Sequence, residues 1–524
     1  MIASPDGKPR KSLTAVIPAD VLVAATSLLA IIAGSLLVVG GSVLFSRPLW
    51  LDEHHTRLLA SGGSWTDIFS QVTQGSDFNP PTFFLLQRAF SALGGGADNV
   101  SLRMLALVSV WLTLVVVYVI LRKDFGRIAG FAGALALWAH PFVMYHAFDA
   151  RFYGPMLLFT ASFAFFASRC LADDDTNSMA VKVGTGLTAA LLCTIHYFGI
   201  ISWMIVLVAA GATLLRRGGL KLSRVWPAMA GPAALLACAP IYLEQRTLLS
   251  VPTWVPKVSM TQLRNVLDAL FIARPLVVLL LFLIALLIVR ETLTQRPSPD
   301  TRTPSAATTA LVALAFVPLV ILVFSIVVQP SMIARYMIPA VLLWAPVIAW
   351  GVDRMPERTR LGAVMLLGLG SAASLRGVVA TSRESVFELR GDSAAVAPLL
   401  QDGKTVVVSS RHVLYKLATS FPPDARLRFF DFDNDETKRL FGNDAFTSRR
   451  PNEYIIERDV ARIHHSVHGF PSLVSSAELR SVPEFYVFHD NARTSDIVRQ
   501  MMPMKSVIRI GPKIQKFEDQ PAIR

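Results

Sequence analysis

Cysteine and charged residues are scarce in this chain, and each shortage excludes a class of protein. Only 3 of the 524 residues are cysteine, none of them at Cys-x-x-Cys spacing. The sequence therefore predicts neither a disulfide framework nor a zinc knuckle. Charged residues make up 17% of the chain and hydrophobic residues 53%, whereas soluble proteins carry about a quarter charged residues. This balance excludes a protein that is soluble throughout.

Long apolar runs recur from residue 21 to about residue 377, and each can cross roughly 30 Å of hydrocarbon as a helix. They predict about eleven spans, at 20–46, 103–121, 128–146, 154–170, 180–196, 198–215, 226–244, 273–290, 307–329, 336–352 and 361–378. The first run is too long for a signal peptide and lacks a small-x-small cleavage site, so we interpret it as a retained anchor. We expect an α-helical polytopic membrane protein with a membrane domain at residues 1–380, including an outer loop at 47–102.

The net charge of +13 does not indicate a nucleic-acid partner, because the basic residues occupy short loops and are not interleaved with aromatics. With the amino terminus inside, four basic loops fall in the cytoplasm: Arg122, Lys123 and Arg127; Arg216, Arg217, Lys221 and Arg224; Arg290, Arg296 and Arg302; Arg354, Arg358 and Arg360. This distribution follows the positive-inside rule. An odd number of spans then places residues 381–524 outside.

Residues 381–524 are mixed and polar, and they predict a small soluble α/β domain. Strand-like runs lie at 404–410, 427–432 and 484–489, with helical patterns between them. The run Asp431–Glu436 lacks the glycine that a calcium loop requires, so we interpret it as a solvated acidic turn. His464, His465 and His468 are explained by a surface helix without metal.

The first candidate catalytic motif is Leu51-Asp-Glu-His-His-Thr56, directly after the first span. Ionised carboxylates close to lipid are costly and usually have a role. Neighbours on a helix project about 100° apart, so only one of Asp52 and Glu53 can point into a given cavity. Either is a candidate general base toward a hydroxyl acceptor, and the alternative is that both stabilise a helix start. His54 and His55 beside them are discounted as a metal site, and we expect no metal.

Two further motifs place arginines at predicted outer ends of spans. Asp149, Arg151 and Tyr153 follow the third span, where they fit either a sugar-phosphate site or an interfacial Asp–Arg pair with an anchoring tyrosine. Arg335 opens the tenth span, against the charge bias of the outer side. A phosphate ligand would explain such an arginine, because guanidinium binds two phosphate oxygens at once. The alternative is an arginine that reaches along the lipid to water.

Five motifs occur in the order seen in GT-C glycosyltransferases: LWLDEHHT, FNPPTFFLLQRAF, FDARFYGPMLL, HYFG at 196–199 and ARYMIPA. They resemble the bacterial branch related to protein mannosyltransferases, the aminoarabinose transferase of lipid A, and rhizobial lipopolysaccharide galacturonosyltransferases. The resemblance covers residues 50–199 well and 335–339 weakly, and it leaves out the soluble domain.

The resemblance implies an inverting transfer from a polyprenyl-phosphate sugar, without cofactor, to an envelope glycan, lipid or protein acceptor. It matches the catalytic base to Asp52, with Glu53 beside it, and a second outer acidic residue to Asp149, whose shorter side chain departs from the usual Glu. Asn79 stands where the family has the histidine of His-Pro-Pro, so no imidazole acts there. The residues assigned to donor phosphate and sugar are Arg151, Tyr153, Arg335, Tyr336, His55, Asn79 and His196.

The alternative is a transporter or flippase of a lipid-linked glycan. Transporters more often show inverted repeats and ionisable residues near mid-span. Here the ionisable residues gather at the ends of spans, which favours an enzyme acting at the membrane surface.

Overall fold

The computed structural model describes residues 18–61, 64–172, 178–248, 255, 257–272, 303–408, 411–422, 424–431, 461–462, 464–466, 471–488, 505–510 and 513–519. Its α-helices are α1 Ala19–Val39, α2 Val43–Ser46, α3 Leu51–Ser61, α4 Trp65–Thr73, α5 Thr82–Leu93, α6 Asn99–Ala139, α7 Pro141–His146, α8 Tyr153–Leu171, α9 Met179–Ile195, α10 Gly199–Arg216, α11 Ala230–Ala237, α12 Ala239–Thr247, α13 Met260–Phe271, α14 Ala306–Ala313, α15 Val317–Val327, α16 Trp344–Asp353, α17 Glu357–Gln401, α18 Arg411–Ala418 and α19 Ser476–Ser481. Short 3-10 helices lie at Leu222–Arg224, Trp226–Met229, Leu314–Phe316 and Ala334–Leu343.

Membrane-spanning helices dominate the described chain, as the apolar runs predict. Within the described residues, 8 helical stretches are long and apolar enough to cross a bilayer, and Met179–Ile195 is a shorter apolar helix. The polytopic α-helical fold is therefore confirmed. The predicted span at 273–290, together with Arg290, Arg296 and Arg302, lies outside the described residues.

Helix α6 contains the predicted span 103–121 and most of the span 128–146, whose last residues form α7, and it folds back on itself at Gly126. That residue has φ 81° and ψ 175°, which is not helical and is open mainly to glycine. A Cβ at Gly133 would lie 2.7 Å from Cδ1 of Leu121, although 12 residues span about 18 Å along a straight helix. The spans predicted at 103–121 and 128–146 are thus two antiparallel helices joined by a tight turn.

Loops that carry the predicted cytoplasmic charges meet at one end of the bundle. Arg122, just before the Gly126 turn, is paired with Asp20 at the start of α1. Asp124 accepts hydrogen bonds of 2.7 Å from both the backbone and the hydroxyl of Ser305. Arg217 donates to the carbonyl of Pro304. The positions of these contacts agree with a single basic face.

The last helix of the bundle continues into the carboxy-terminal domain. Helix α17 has 45 residues, which corresponds to about 68 Å, more than twice the hydrocarbon thickness of roughly 30 Å. Its final turns pack on the sheet, where Val396 shares an apolar cluster with Val408, Leu414 and Phe429. The helix therefore runs across residues 380 and 381 without a break.

The carboxy-terminal domain is a mixed sheet covered by helices, as predicted. Its strands are β1 Val406–Val408, β2 Leu427–Asp431, β3 Leu473–Ser475, β4 Glu484–Phe488, β5 Lys505–Arg509 and β6 Ile514–Asp519. They are ordered β3-β2-β1-β4-β6-β5. The first four are parallel, and β6 pairs antiparallel with β4 and β5. The three predicted strand runs coincide with β1, β2 and β4. All residues of β1 are buried, as expected of a parallel strand covered on both faces.

Candidate active site

Asp52 lies between two arginines at the end of the bundle opposite the basic loops. It occupies the first turn of α3, and its Oδ2 is 3.4 Å from Nη2 of Arg335. Arg151 donates from Nη1 to the Asp52 carbonyl at 3.1 Å. The side chains of Asp52 and Arg335 are 21% and 20% exposed, so both are open to a ligand. Arg335 also lies 5.0 Å over the ring of Trp50.

Arg151 is held by Asp77, a residue that the sequence analysis missed. Nη1 of Arg151 is 2.8 Å from Oδ2 of Asp77, and both side chains are buried. Burial raises the pKa of Asp77, but Arg151 and His55 outweigh it, so the pKa lies below its usual value. Asp77 is therefore ionised at neutral pH and fixes one buried guanidinium.

Glu53 points away from Asp52 into a fully buried ion pair. Arg103 donates from Nε to Oε1 at 2.9 Å and from Nη2 to Oε2 at 2.8 Å. Backbone amides of Trp50 and Ala150 donate to the same carboxylate at 3.1 and 2.9 Å. Both oxygens are thus occupied. Glu53 ties α3 to α6 and to the loop that carries Arg151.

Asp149 lies on the far side of that loop, in a second buried charge cluster. Its Oδ1 is 2.6 Å from Nη2 of Arg47, and its Oδ2 is 2.6 Å from Nδ1 of His146. Burial raises the pKa of Asp149, whereas the His146 hydrogen bond and Arg47 lower it, and the net shift is downward. The two carboxylate oxygens of Asp149 are thus engaged by Arg47 and His146, and not by Asp52.

Aromatic rings line the side of the site next to Arg335. His196 lies 5.0 Å from Tyr336 and 4.4 Å from Phe152, measured between ring centroids. Tyr153 is buried near both Arg335 and Asp52. His196 is buried, and its ring packs with those of Phe152 and Tyr336 as part of an aromatic wall.

His55 and Asn79 both contact Asp77. Nδ1 of His55 is 3.7 Å from Oδ2 of Asp77, and the amide nitrogen of Asn79 donates to Oδ1 at 2.5 Å. Gln245 of α12 donates to the Asp77 carbonyl at 2.9 Å. Asp77 is thus the centre to which three of the predicted binding residues, Arg151, His55 and Asn79, are connected.

The carboxy-terminal domain covers this cluster, an arrangement that no feature of the sequence indicates. Arg411 of α18 places Nη1 3.4 Å from Nε2 of His55. Tyr415 stacks on His54 with centroids 5.2 Å apart. The surface-helix interpretation is wrong for His464, which is fully buried, because its ring is enclosed between Tyr415 and His55. His468 lies outside the described residues, as does the acidic run after Asp431.

Two of the missed residues left a signal in the sequence. Asp77 stands two residues before Asn79, inside an outer loop already marked by a motif. Arg103 sits at the edge of a predicted span, where an ionised side chain requires a partner. No feature of the sequence marks Arg411, Tyr415 or His464 as part of the site, since only the packing of the two domains brings them there.

Comparison with known proteins agrees with this architecture. Residues 79–243 match the family described as dolichyl-phosphate-mannose-protein mannosyltransferase. The chain is similar to ArnT from Cupriavidus metallidurans in the apo state, with TM-score 0.58, 12% identity and coverage of 94% of this chain and 98% of that one. For ArnT of the same organism bound to undecaprenyl phosphate, the TM-score is 0.55 and the identity 13%, with 94% and 98% covered. The chain has no match among curated protein sequences.

These similarities confirm the resemblance to GT-C glycosyltransferases at the level of the fold. The match to ArnT extends over nearly the whole length of both chains, so the likeness includes the carboxy-terminal domain as well as the membrane helices.

Proposed function

We propose that this protein, built on the fold of the GT-C glycosyltransferases, transfers a sugar from a polyprenyl-phosphate donor to an acceptor hydroxyl with inversion at the sugar carbon. The acceptor is an envelope glycan, lipid or protein. The membrane domain at 1–380 carries the reaction, and the domain at 381–524 stands with the active site on the periplasmic side of the inner membrane.

One observation carries the proposal: Asp52, a partly exposed carboxylate, lies 3.4 Å from the Arg335 guanidinium and is joined to Arg151 through its carbonyl. A base and two cations at one end of a helix bundle are what this reaction needs. A phosphate monoester of a lipid is already a competent leaving group, so cations that hold its charge suffice and no strong acid is required.

A lipid phosphate donor is favoured by the chemistry of the cations. Guanidinium groups bind phosphate oxygens through parallel hydrogen bonds. Arg335 is partly exposed, which suits direct contact with the phosphate, whereas Arg151 is held in place by Asp77. The structure of ArnT from Cupriavidus metallidurans bound to undecaprenyl phosphate adds support, since its fold is similar over nearly the whole chain.

Asp52, Arg335 and Arg151 are sufficient for the transfer step. The acceptor oxygen bonds to the anomeric carbon while the bond from that carbon to the phosphate oxygen breaks. Asp52 takes the hydroxyl proton as the bond forms, and the polyprenyl phosphate leaves with its negative charge held by Arg335 and Arg151. Glu53 cannot replace Asp52, because four donors occupy its oxygens. We therefore propose a structural role for Glu53 and for Asp149.

The test is transfer by purified protein in proteoliposomes, with the polyprenyl-phosphate sugar that accumulates in cells lacking the protein. Asp52→Asn should lower kcat by about 10²- to 10⁴-fold, the usual contribution of a general base. Asp67→Asn, which changes a half-buried carboxylate of α4 that accepts from the Ser64 amide, is the matched control and should retain activity.

Two results would count against the proposal. One is transfer at the wild-type rate by a folded Asp52→Asn protein. The other is movement of the lipid-linked sugar across the bilayer without glycosylation of any acceptor, which would establish a flippase.

A further inference from the structure

His464 of the carboxy-terminal domain is joined by hydrogen bonds to the outer loop of the membrane domain. Its ring is fully buried, with Nε2 2.9 Å from the Ser76 carbonyl and Nδ1 2.5 Å from the Tyr415 hydroxyl. A carbonyl oxygen only accepts, so Nε2 carries the proton. In the neutral ring Nδ1 then accepts from Tyr415. Geometry thus fixes a single tautomer and orients both side chains.

The rings of His464 and Tyr415 also contact helix α3 close to Asp52. Tyr415 stacks on His54 with an interplanar angle of 23°, and His464 meets His55 edge to face at 4.5 Å. Such contacts add to the burial of the rings and favour one orientation. The carboxy-terminal domain therefore holds α3 and the outer loop at the same point.

From Ser76 the connection continues to the proposed phosphate site. Ser76 immediately precedes Asp77, whose carbonyl accepts from Gln245 at 2.9 Å. The Asp77 carboxylate holds Arg151 at 2.8 Å, and Arg151 in turn reaches the Asp52 carbonyl at 3.1 Å. A short path of contacts thus connects the Ser76 carbonyl with Arg151.

We propose that His464 and Tyr415 are positioning residues of the transfer reaction: by fixing Ser76 and α3, they align Arg151 with Asp52, so the carboxy-terminal domain completes the reaction centre. This inference rests on the proposed function. It assigns to that domain a part in the rate of the chemical step, in addition to any part in acceptor choice.

Two substitutions remove the connection in different ways. Tyr415→Phe keeps the ring on His54 and deletes only the hydroxyl, and His464→Leu deletes both hydrogen bonds. At saturating donor and acceptor, kcat should fall roughly tenfold or more, because a misplaced group costs rate that added substrate does not restore. Hydrogen exchange at the amides of residues 76–79 should become faster in both variants.

The chain offers matched controls. Tyr486→Phe removes a hydroxyl that donates to Glu484 at 2.8 Å within the sheet. Like Tyr415→Phe, it deletes one tyrosine hydroxyl from the carboxy-terminal domain, but it should keep wild-type kcat. His464→Gln can donate to Ser76 from its amide nitrogen and accept from Tyr415 at its amide oxygen. It should retain more activity than His464→Leu at an equal thermal midpoint.

The inference would be overturned if Tyr415→Phe and His464→Leu kept wild-type kcat and unchanged hydrogen exchange at residues 76–79. It would also be overturned if His464→Gln lost as much activity as His464→Leu. If His464→Leu does not fold, the comparison of Tyr415→Phe with Tyr486→Phe decides. If the wild-type protein transfers no sugar, the proposed function fails, and faster exchange at 76–79 in the variants would still establish the connection.

Discussion

Asp52 and Glu53 are neighbours in the chain with opposite surroundings. Asp52 is partly exposed beside Arg335, whereas Glu53 is fully buried against Arg103. Residues adjacent on a helix face different directions, so α3 presents one carboxylate to the site and inserts the other into the protein. The pair thus combines an accessible carboxylate, our proposed base, with an internal anchor.

We expect Glu53→Gln to destabilise the protein strongly. Removing one partner of a buried ion pair leaves an uncompensated charge and costs about 3–5 kcal/mol. Glu384→Gln, at an exposed position of α17, should change stability by less than about 0.5 kcal/mol. Thermal unfolding in detergent measures both. Equal stability of the two variants would show that Glu53 is not an anchor.

Asp77→Asn should lower both stability and transfer, because it deprives the buried Arg151 of its partner carboxylate. The pKa of folded Asp77 lies below its usual value. The contribution of ionised Asp77 to the free energy of unfolding is therefore complete above the unfolded pKa of about 3.9. It is lost as the pH falls toward the pKa of the folded state.

The loss of stability in Asp77→Asn relative to wild type should accordingly be full at pH 6 and become smaller below about pH 4. Thermal midpoints of both proteins across this range measure it, with Asp402→Asn, an exposed position, as the control. A deficit that does not depend on pH would contradict the assignment.

At the level of elements, the hairpin formed by α6 depends on close approach to α16. A Cβ at Gly133 would lie 2.5 Å from the Ala345 carbonyl oxygen and 3.1 Å from Cβ of Ala349. Backbone cannot move aside as a flexible side chain can. The glycine therefore sets the distance between the two helices.

Gly133→Ala should destabilise the protein by about 1–3 kcal/mol, the typical cost of overpacking. Gly211→Ala in α10, where no atom lies within 4 Å of the added Cβ, should be neutral or stabilising by up to about 1 kcal/mol. Thermal midpoints of the two purified variants provide the test. A fully stable Gly133→Ala protein would contradict the packing.

At the scale of the whole molecule, α17 is long enough to link the two sides of the membrane. It runs from Glu357 to Gln401 and ends in the carboxy-terminal domain. In the orientation we propose, its basic amino-terminal end lies inside and its other end lies in the periplasm beside the candidate active site.

We expect a membrane-impermeant maleimide to label Asp402→Cys in spheroplasts and to leave Glu357→Cys unlabelled until the cells are lysed. The native thiols are removed first, although Cys170 and Cys193 are already buried. Both residues are exposed at opposite ends of one helix, so each serves as the control for the other. The reverse labelling pattern would invert the topology.

Local sequence features account for most of the architecture. Apolar runs longer than a bilayer is thick require helices, since lipid offers the backbone no hydrogen-bond partners, and the predicted spans that are described are helical. Alternating and β-branched runs gave β1, β2 and β4 in the carboxy-terminal domain. The Asp52, Asp149 and Arg335 motifs were visible because charge at the end of an apolar run is costly.

What the sequence determined by itself is the class of protein, its polytopic fold and the segments that carry charge at the membrane surface, because each follows from the hydration of short stretches of chain. Only the tertiary structure decided which carboxylate faces the site, that Asp77 holds Arg151, and that His464 reaches Ser76 across 388 residues. Those outcomes depend on which surfaces of distant segments pack together, and burial and hydrogen-bond partners exist only once they do.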